Sequence, residues 1–130
     1  MKDDMITVLY IQTGKEPQVI QIEHVLKEMQ RLVGGTISSF RPFDDNSVLI
    51  VNDNGKTDGL PLNRAVYDEN GELIDIIAGN FFICYAAPDS SEFSSLPDEL
   101  IRKYFELFKT PQTFVKIGNE LVIISADDQQ

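Results

Sequence analysis

Apolar residues recur along this chain with two different periods, and the places where the period changes mark out its elements. Ile6 to Ile11 (ITVLYI) is a β-rich run. Gly14-Lys15-Glu16-Pro17 supplies a turn, and Val19 to Ile22 is placed to return as a short strand, so an opening hairpin is expected. From Ile22 the spacing becomes helical: Ile22, Val25, Leu26, Met29, Leu32 and Val33 share one face, with Glu23, Lys27, Glu28 and Arg31 opposite. Gly34-Gly35 stops that helix, one of the two taking the left-handed C-terminal conformation. Thr36 to Phe43 and Ser47 to Asn52 then read as a strand pair across the turn Asp44-Asp45-Asn46.

Asp53-Asn54-Gly55-Lys56 and Asp68-Glu69-Asn70-Gly71 are further turn signals, the second followed by the apolar run Leu73 to Ile77. Asn80 to Ala86 (NFFICYA) is apolar at consecutive positions, which predicts a central strand covered on both faces. Ser94 to Glu99 opens a second helix, with Ser95 as its cap and Pro97, Asp98 and Glu99 in its first turn. Its buried face is Leu100, Ile101, Tyr104, Phe105 and Phe108, and Thr110-Pro111 ends it. A last hairpin runs from Thr113 to Ile117, turns at Gly118-Asn119 and returns from Leu121 to Ser125, leaving a polar tail, Ala126 to Gln130, that is expected to fray. The order β-β-α-β-β-(loop)-β-α-β-β, with hairpin-length connections, argues an α+β fold. One domain over residues 1–130 is expected, mainly antiparallel sheet with two amphipathic helices.

Composition changes this picture in one respect. At 130 residues and 42% hydrophobic content the chain can bury roughly two thirds of its unfolded surface, as an ordinary globular domain does. The formal charge of −10 is less ordinary. It opposes direct nucleic-acid binding, which needs clustered Lys and Arg, and it suits a partner with a basic surface. One cysteine excludes an internal disulfide framework and fits a reducing compartment. Met1-Lys2-Asp3-Asp4 does not open a secretory signal and no apolar run approaches membrane-spanning length, so a cytoplasmic protein with no membrane partner is expected.

The same inventory leaves little for catalysis. With one histidine and one cysteine, Cys/His metal clusters cannot form. His24 is expected on the polar side of the first helix, and Cys84, inside FFICY, is expected to be a buried inert thiol. Nucleophile-elbow, phosphate-loop, dinucleotide and zinc-protease signatures do not occur. A non-enzymatic protein without metal or cofactor is therefore expected.

Two features invite a binding role. Gly59-Leu60-Pro61-Leu62-Asn63-Arg64-Ala65-Val66 reads as a recognition loop in which Asn63 and Arg64 could meet an anionic nucleotide, with Tyr67 available to stack on a base. The structural alternative has Arg64 pairing with a local acid such as Asp68 or Asp75 while Asn63 closes its own turn. The second feature is a span free of Lys and Arg between Arg64 and Arg102. It contains Asp68, Glu69, Glu72, Asp75, Asp89, Glu92, Asp98 and Glu99. Gathered on one face, such acids attract a basic protein groove.

At Leu32-Val33-Gly34-Gly35-Thr36-Ile37, Asn52-x-x-Gly55-Lys56, GLPLNRA and Ile77-Ala78-Gly79-x-Phe81-Phe82-Ile83, and at Phe93-Ser94-Ser95-Leu96, the chain resembles a domain-of-unknown-function family, number thirty-eight forty-six. That family is common in phages, plasmids and conjugative elements of Gram-positive bacteria. The resemblance spans nearly the whole chain. It implies a mobile-element setting inside a bacterial host cell and carries over no catalytic residue. Two expectations result. The first is a counter-defence protein that inhibits a host defence nuclease or effector by binding it through Asp68, Glu69, Glu72 and Asp75. The second is a sponge that sequesters an anionic nucleotide signal with Asn63, Arg64 and Tyr67, at the interface of a symmetric homo-oligomer.

Overall fold

The alternation in the three most apolar strands dictates the architecture. In the computed structural model, which describes residues 4–125, nine strands and two helices follow in the order β1 (Met5–Ile11), β2 (Gln18–Glu23), α1 (Leu26–Val33), β3 (Ile37–Phe40), β4 (Ser47–Asn52), β5 (Leu62–Tyr67), β6 (Leu73–Ala78), β7 (Phe81–Tyr85), α2 (Asp98–Leu107), β8 (Gln112–Ile117) and β9 (Glu120–Ser125). Five strands form one antiparallel sheet in the order β2-β1-β7-β4-β3, while β5-β6 and β8-β9 are separate two-stranded ribbons. The fold is α+β, as its pattern predicts, and β7 is the central strand.

Successive side chains of a strand point to opposite faces, so the five-stranded sheet separates two cores. Val8, Val48, Ile50, Phe82 and Cys84 face Met29, Leu32 and Val33 of α1. Leu9, Leu49, Phe81 and Ile83 face Tyr104 and Phe108 of α2, together with Val66 and Ile77 of the β5-β6 ribbon. The unbroken apolar run of β7 follows from this, since both of its faces are covered. Cys84 is buried, and burial pushes its thiol up to about 12, consistent with an inert side chain.

Several element boundaries depart from the sequence pattern, each for a local reason. Ile22 belongs to β2, not to the helix: pairing with β1 continues to Met5↔Glu23 and turns Ile22 into the core from a strand. The helix begins at Leu26, and His24 sits in the bend before it, its Nδ1 4.0 Å from Glu92 Oε1. Gly34 takes the left-handed conformation (φ 80°) that ends α1. β3 stops at Phe40, ahead of Pro42. Ser95 does not cap α2; its Oγ accepts a 2.8 Å hydrogen bond from the Thr7 amide, and the helix starts at Asp98 after Pro97. The tail expectation, Ala126 to Gln130, lies outside the described residues.

Candidate binding site

The GLPLNR segment is not an open loop. Leu62–Tyr67 is strand β5, hydrogen-bonded to β6, and the expectation of a recognition loop is corrected on that point. The register slips between Leu62 and Arg64, so two β5 residues stand against one β6 residue. Such a bulge breaks strict alternation, and four consecutive residues, Asn63 to Val66, are buried.

Asn63 and Arg64 therefore turn inward. Asn63 Nδ2 donates to the Ile11 carbonyl (3.0 Å) and the Gly79 carbonyl (2.9 Å), tying the end of β1 to the β6-β7 turn. Arg64 is 1% exposed. Its Nε donates to the Phe108 carbonyl (3.0 Å), one terminal nitrogen to Asn63 Oδ1 (2.7 Å) and the Asn63 carbonyl (3.3 Å), and the other to the Lys15 carbonyl (2.6 Å). Neither Asp68 nor Asp75 pairs with it. Phe108 is the C-cap residue directly after α2, where unpaired carbonyls concentrate partial negative charge, and α2 has no basic residue in its own last turn. Arg64 supplies that cation from β5. Burial lowers its guanidinium to about 10, which still leaves it charged at neutral pH.

The remaining predicted residues lie on the β5-β6 ribbon at its open end. Tyr67 closes β5 and is 41% exposed. Asp68 organises the turn, its Oδ1 accepting from the amides of Asn70 and Glu72, each at 2.9 Å. Glu69 and Glu72 are exposed on that turn. Asp75 is set apart: it stands opposite Val66 in the ribbon and pairs with Lys56 across a separate cavity of about 390 Å³ bounded by β3 and β6. Three of the four acids are thus gathered, and the fourth is not.

A cavity of about 410 Å³ opens beside the gathered acids. Phe43, Tyr67 and Leu107 give it apolar walls, and Asp44, Asp68 and Glu69 give it carboxylates from two different turns. The sequence pattern treats Asp44-Asp45 only as turn residues. Its usable signal was a pair of acids at a turn leading into a strand, and nothing local reveals that this turn meets Asp68-Glu69.

Asp45 fixes one wall of this cavity. Its carboxylate accepts hydrogen bonds from Ser47 Oγ (2.6 Å), the Ser47 amide (3.1 Å), Lys103 Nζ (3.2 Å) and the Tyr104 hydroxyl. Burial alone would raise its pKa, but the bonds from Ser47, Tyr104 and Lys103 outweigh burial and bring it down to about 2. Burial and the neighbouring Asp45 carboxylate hold the Tyr104 phenol far above its usual range, so it remains a donor. The β3-β4 turn and α2 are locked together by these bonds.

The family model described as Domain of unknown function (DUF3846) matches residues 6–109. The chain belongs to this family. The match runs from β1 through the end of α2 and stops before the β8-β9 ribbon. No curated protein and no solved structure is significantly similar to the chain. No helix among the described residues is long and apolar enough to cross a membrane.

Proposed function

We propose that this domain is a non-enzymatic binding protein that engages a basic protein surface through the acid-rimmed cavity at the open end of the β5-β6 ribbon. The observation that carries this reading is the convergence of Asp44, Asp68 and Glu69 around aromatic walls at Phe43 and Tyr67. Carboxylates beside aromatic faces suit a guanidinium, which can pair with an acid while stacking on a ring. The net charge of −10 adds long-range attraction for such a partner. In the mobile-element setting that the family resemblance implies, a host defence nuclease or effector has a suitable groove, because a surface that holds nucleic acid is basic. Inhibition then consists of occupying that groove. Sequestration of a nucleotide by Asn63 and Arg64 would require both side chains to give up their bonds to the chain's own carbonyls, which favours the acidic surface.

The test uses the exposed acids and spares Asp68 and Asp75, which have structural partners. Wild type and the triple variant Asp44→Lys, Glu69→Lys, Glu72→Lys are expressed in bacteria carrying individual defence systems that act through nucleases, and phage plating is measured. Wild type is expected to restore plating on a susceptible system, and the triple variant to lose that effect at an unchanged melting temperature. In vitro, binding to a synthetic arginine-rich peptide should weaken by roughly tenfold or more as salt rises from about 50 mM to about 300 mM. Full activity in the triple variant, or salt-insensitive binding, would overturn the proposal.

A further inference from the structure

The β8-β9 ribbon is the part of the molecule that the fold leaves unexplained. Its register pairs Thr113 with Ile124, Val115 with Val122 and Ile117 with Glu120, so these six side chains share one face. The opposite face carries Phe114, Lys116, Leu121 and Ile123. Both faces are rich in apolar side chains, yet no residue of the ribbon is buried and none belongs to either core. On the first face Val115 is 36% and Ile117 61% exposed, and Val122 and Ile124 are half-buried; on the opposite face Leu121 is 46% exposed. A two-stranded ribbon alone is marginal in water, and an apolar face without a covering layer marks a contact surface.

We infer that the Val115, Ile117, Val122 and Ile124 face of this ribbon packs against the same face of a second copy of the chain. Two observations select a second copy. The first is charge. Lys116 and Glu120 are the only ionisable residues from Gln112 to Ser125, so the ribbon is formally neutral in a chain of net charge −10. It offers no attraction to a basic partner, and it adds no net charge of its own to the repulsion between two acidic copies. The second is the pattern of the face. A half-turn about its centre exchanges Val115 with Val122, Ile117 with Ile124, and the polar corners Thr113 with Glu120. A face that is nearly its own image suits the self-complementary contact of a two-fold dimer. Whether the axis runs along the strands or across them, the central valines meet valines.

The salt dependence has the opposite sign to that of the acidic cavity: screening of the mutual repulsion should strengthen the dimer. The full chain is examined by sedimentation velocity at about 100 µM, near the affinity range of a modest interface. Wild type should sediment at twice the chain mass of 14.7 kDa and hold that mass more firmly at high salt. Val122→Lys puts a charge at the centre of the contact and should weaken association by roughly a hundredfold, leaving monomer. Leu121→Lys, one residue away on the opposite face, should remain dimeric, and circular dichroism should match wild type in both. Val122 is half-buried and Leu121 exposed, so the melting temperatures are compared as well, and the expected split is one of mass between two variants that melt alike. A monomeric wild type, a dimeric Val122→Lys, or equal dissociation of the two variants would overturn the inference.

Discussion

Strands β7 and β9 have nearly the same apolar character and opposite surroundings. FFICY lies between β1 and β4 with a core on each face, so four of its five side chains are buried. ELVIIS lies at the edge of a two-stranded ribbon, and not one of its residues is buried. The difference is not in composition but in neighbours. β7 has a strand on each side, α1 above and α2 with the β5-β6 ribbon below, whereas β9 has β8 as its one strand neighbour among the described residues. A run of β-branched and aromatic residues thus states that burial is wanted, without saying whether the chain itself or another molecule supplies it.

Substitution of the same residue type in the two regions gives the largest contrast. Phe82→Ala in β7 should cost about 3–5 kcal/mol, because Phe82 is fully buried and its loss leaves a cavity beside α1. Phe114→Ala in β8, outside both cores, should cost no more than about 1 kcal/mol. Denaturant unfolding of the two variants measures both, and comparable losses would show that the ribbon is as integral to the fold as the central sheet.

Arg64 joins the two regions, since β5 packs beneath the central sheet and its Ala65 amide donates to Gln112 Oε1 at the root of the ribbon (2.8 Å). Arg64→Met keeps much of the apolar bulk but strips hydrogen bonds from the Phe108, Lys15 and Asn63 carbonyls. A loss of roughly 2–4 kcal/mol is expected. Arg64→Lys should recover little of it, because one ammonium cannot reach acceptors distributed around a planar guanidinium. Thermal melts of both variants test this, and an unchanged melting temperature for Arg64→Met would remove Arg64 from the set of residues that hold α2 in place.

The smallest effect is a pH dependence confined to the central unit. Asp45 has a folded pKa of about 2 against an ordinary 3.8. A depressed carboxyl stabilises the fold fully above its ordinary pKa and loses that contribution as pH falls towards its folded value. About 2 kcal/mol is therefore expected to disappear between about pH 4 and pH 2. Asp45→Asn should be less stable than wild type at neutral pH, and the gap should close as acid is added. A gap that stays constant down to pH 2 would mean that Asp45 acts by shape and not by charge.

Much of this architecture can be read from the chain. The opening hairpin, the Gly34 stop, the strand pair around Asp44 to Asn46, the central position of FFICY and the last hairpin all follow from local period and turn chemistry. The candidate site was less legible, for reasons that local pattern cannot contain. Gly59, Pro61 and Asn63 are turn formers, and they masked a strand whose bulge directs two polar side chains inward. Asn63 and Arg64 were visible as donors, but their acceptors are carbonyls of Ile11, Lys15, Gly79 and Phe108, most of them distant along the chain. Asp68 and Glu69 were visible as acids, but not their meeting with Asp44.

By itself the sequence determined the two helices and most of the strands outside the β5-β6 ribbon, which strand must be covered on both faces, and that the molecule is strongly acidic. Those properties reside in periods of two and 3.6 residues and in summed charge, which need no knowledge of distant contacts. Tertiary structure alone decided that Arg64 serves the end of α2, that Asp75 parts company with the other acids, and that the last ribbon joins neither core among the described residues. A hydrogen-bond donor, a carboxylate or an apolar face specifies only a kind of partner, and the folded chain decides which groups come within reach.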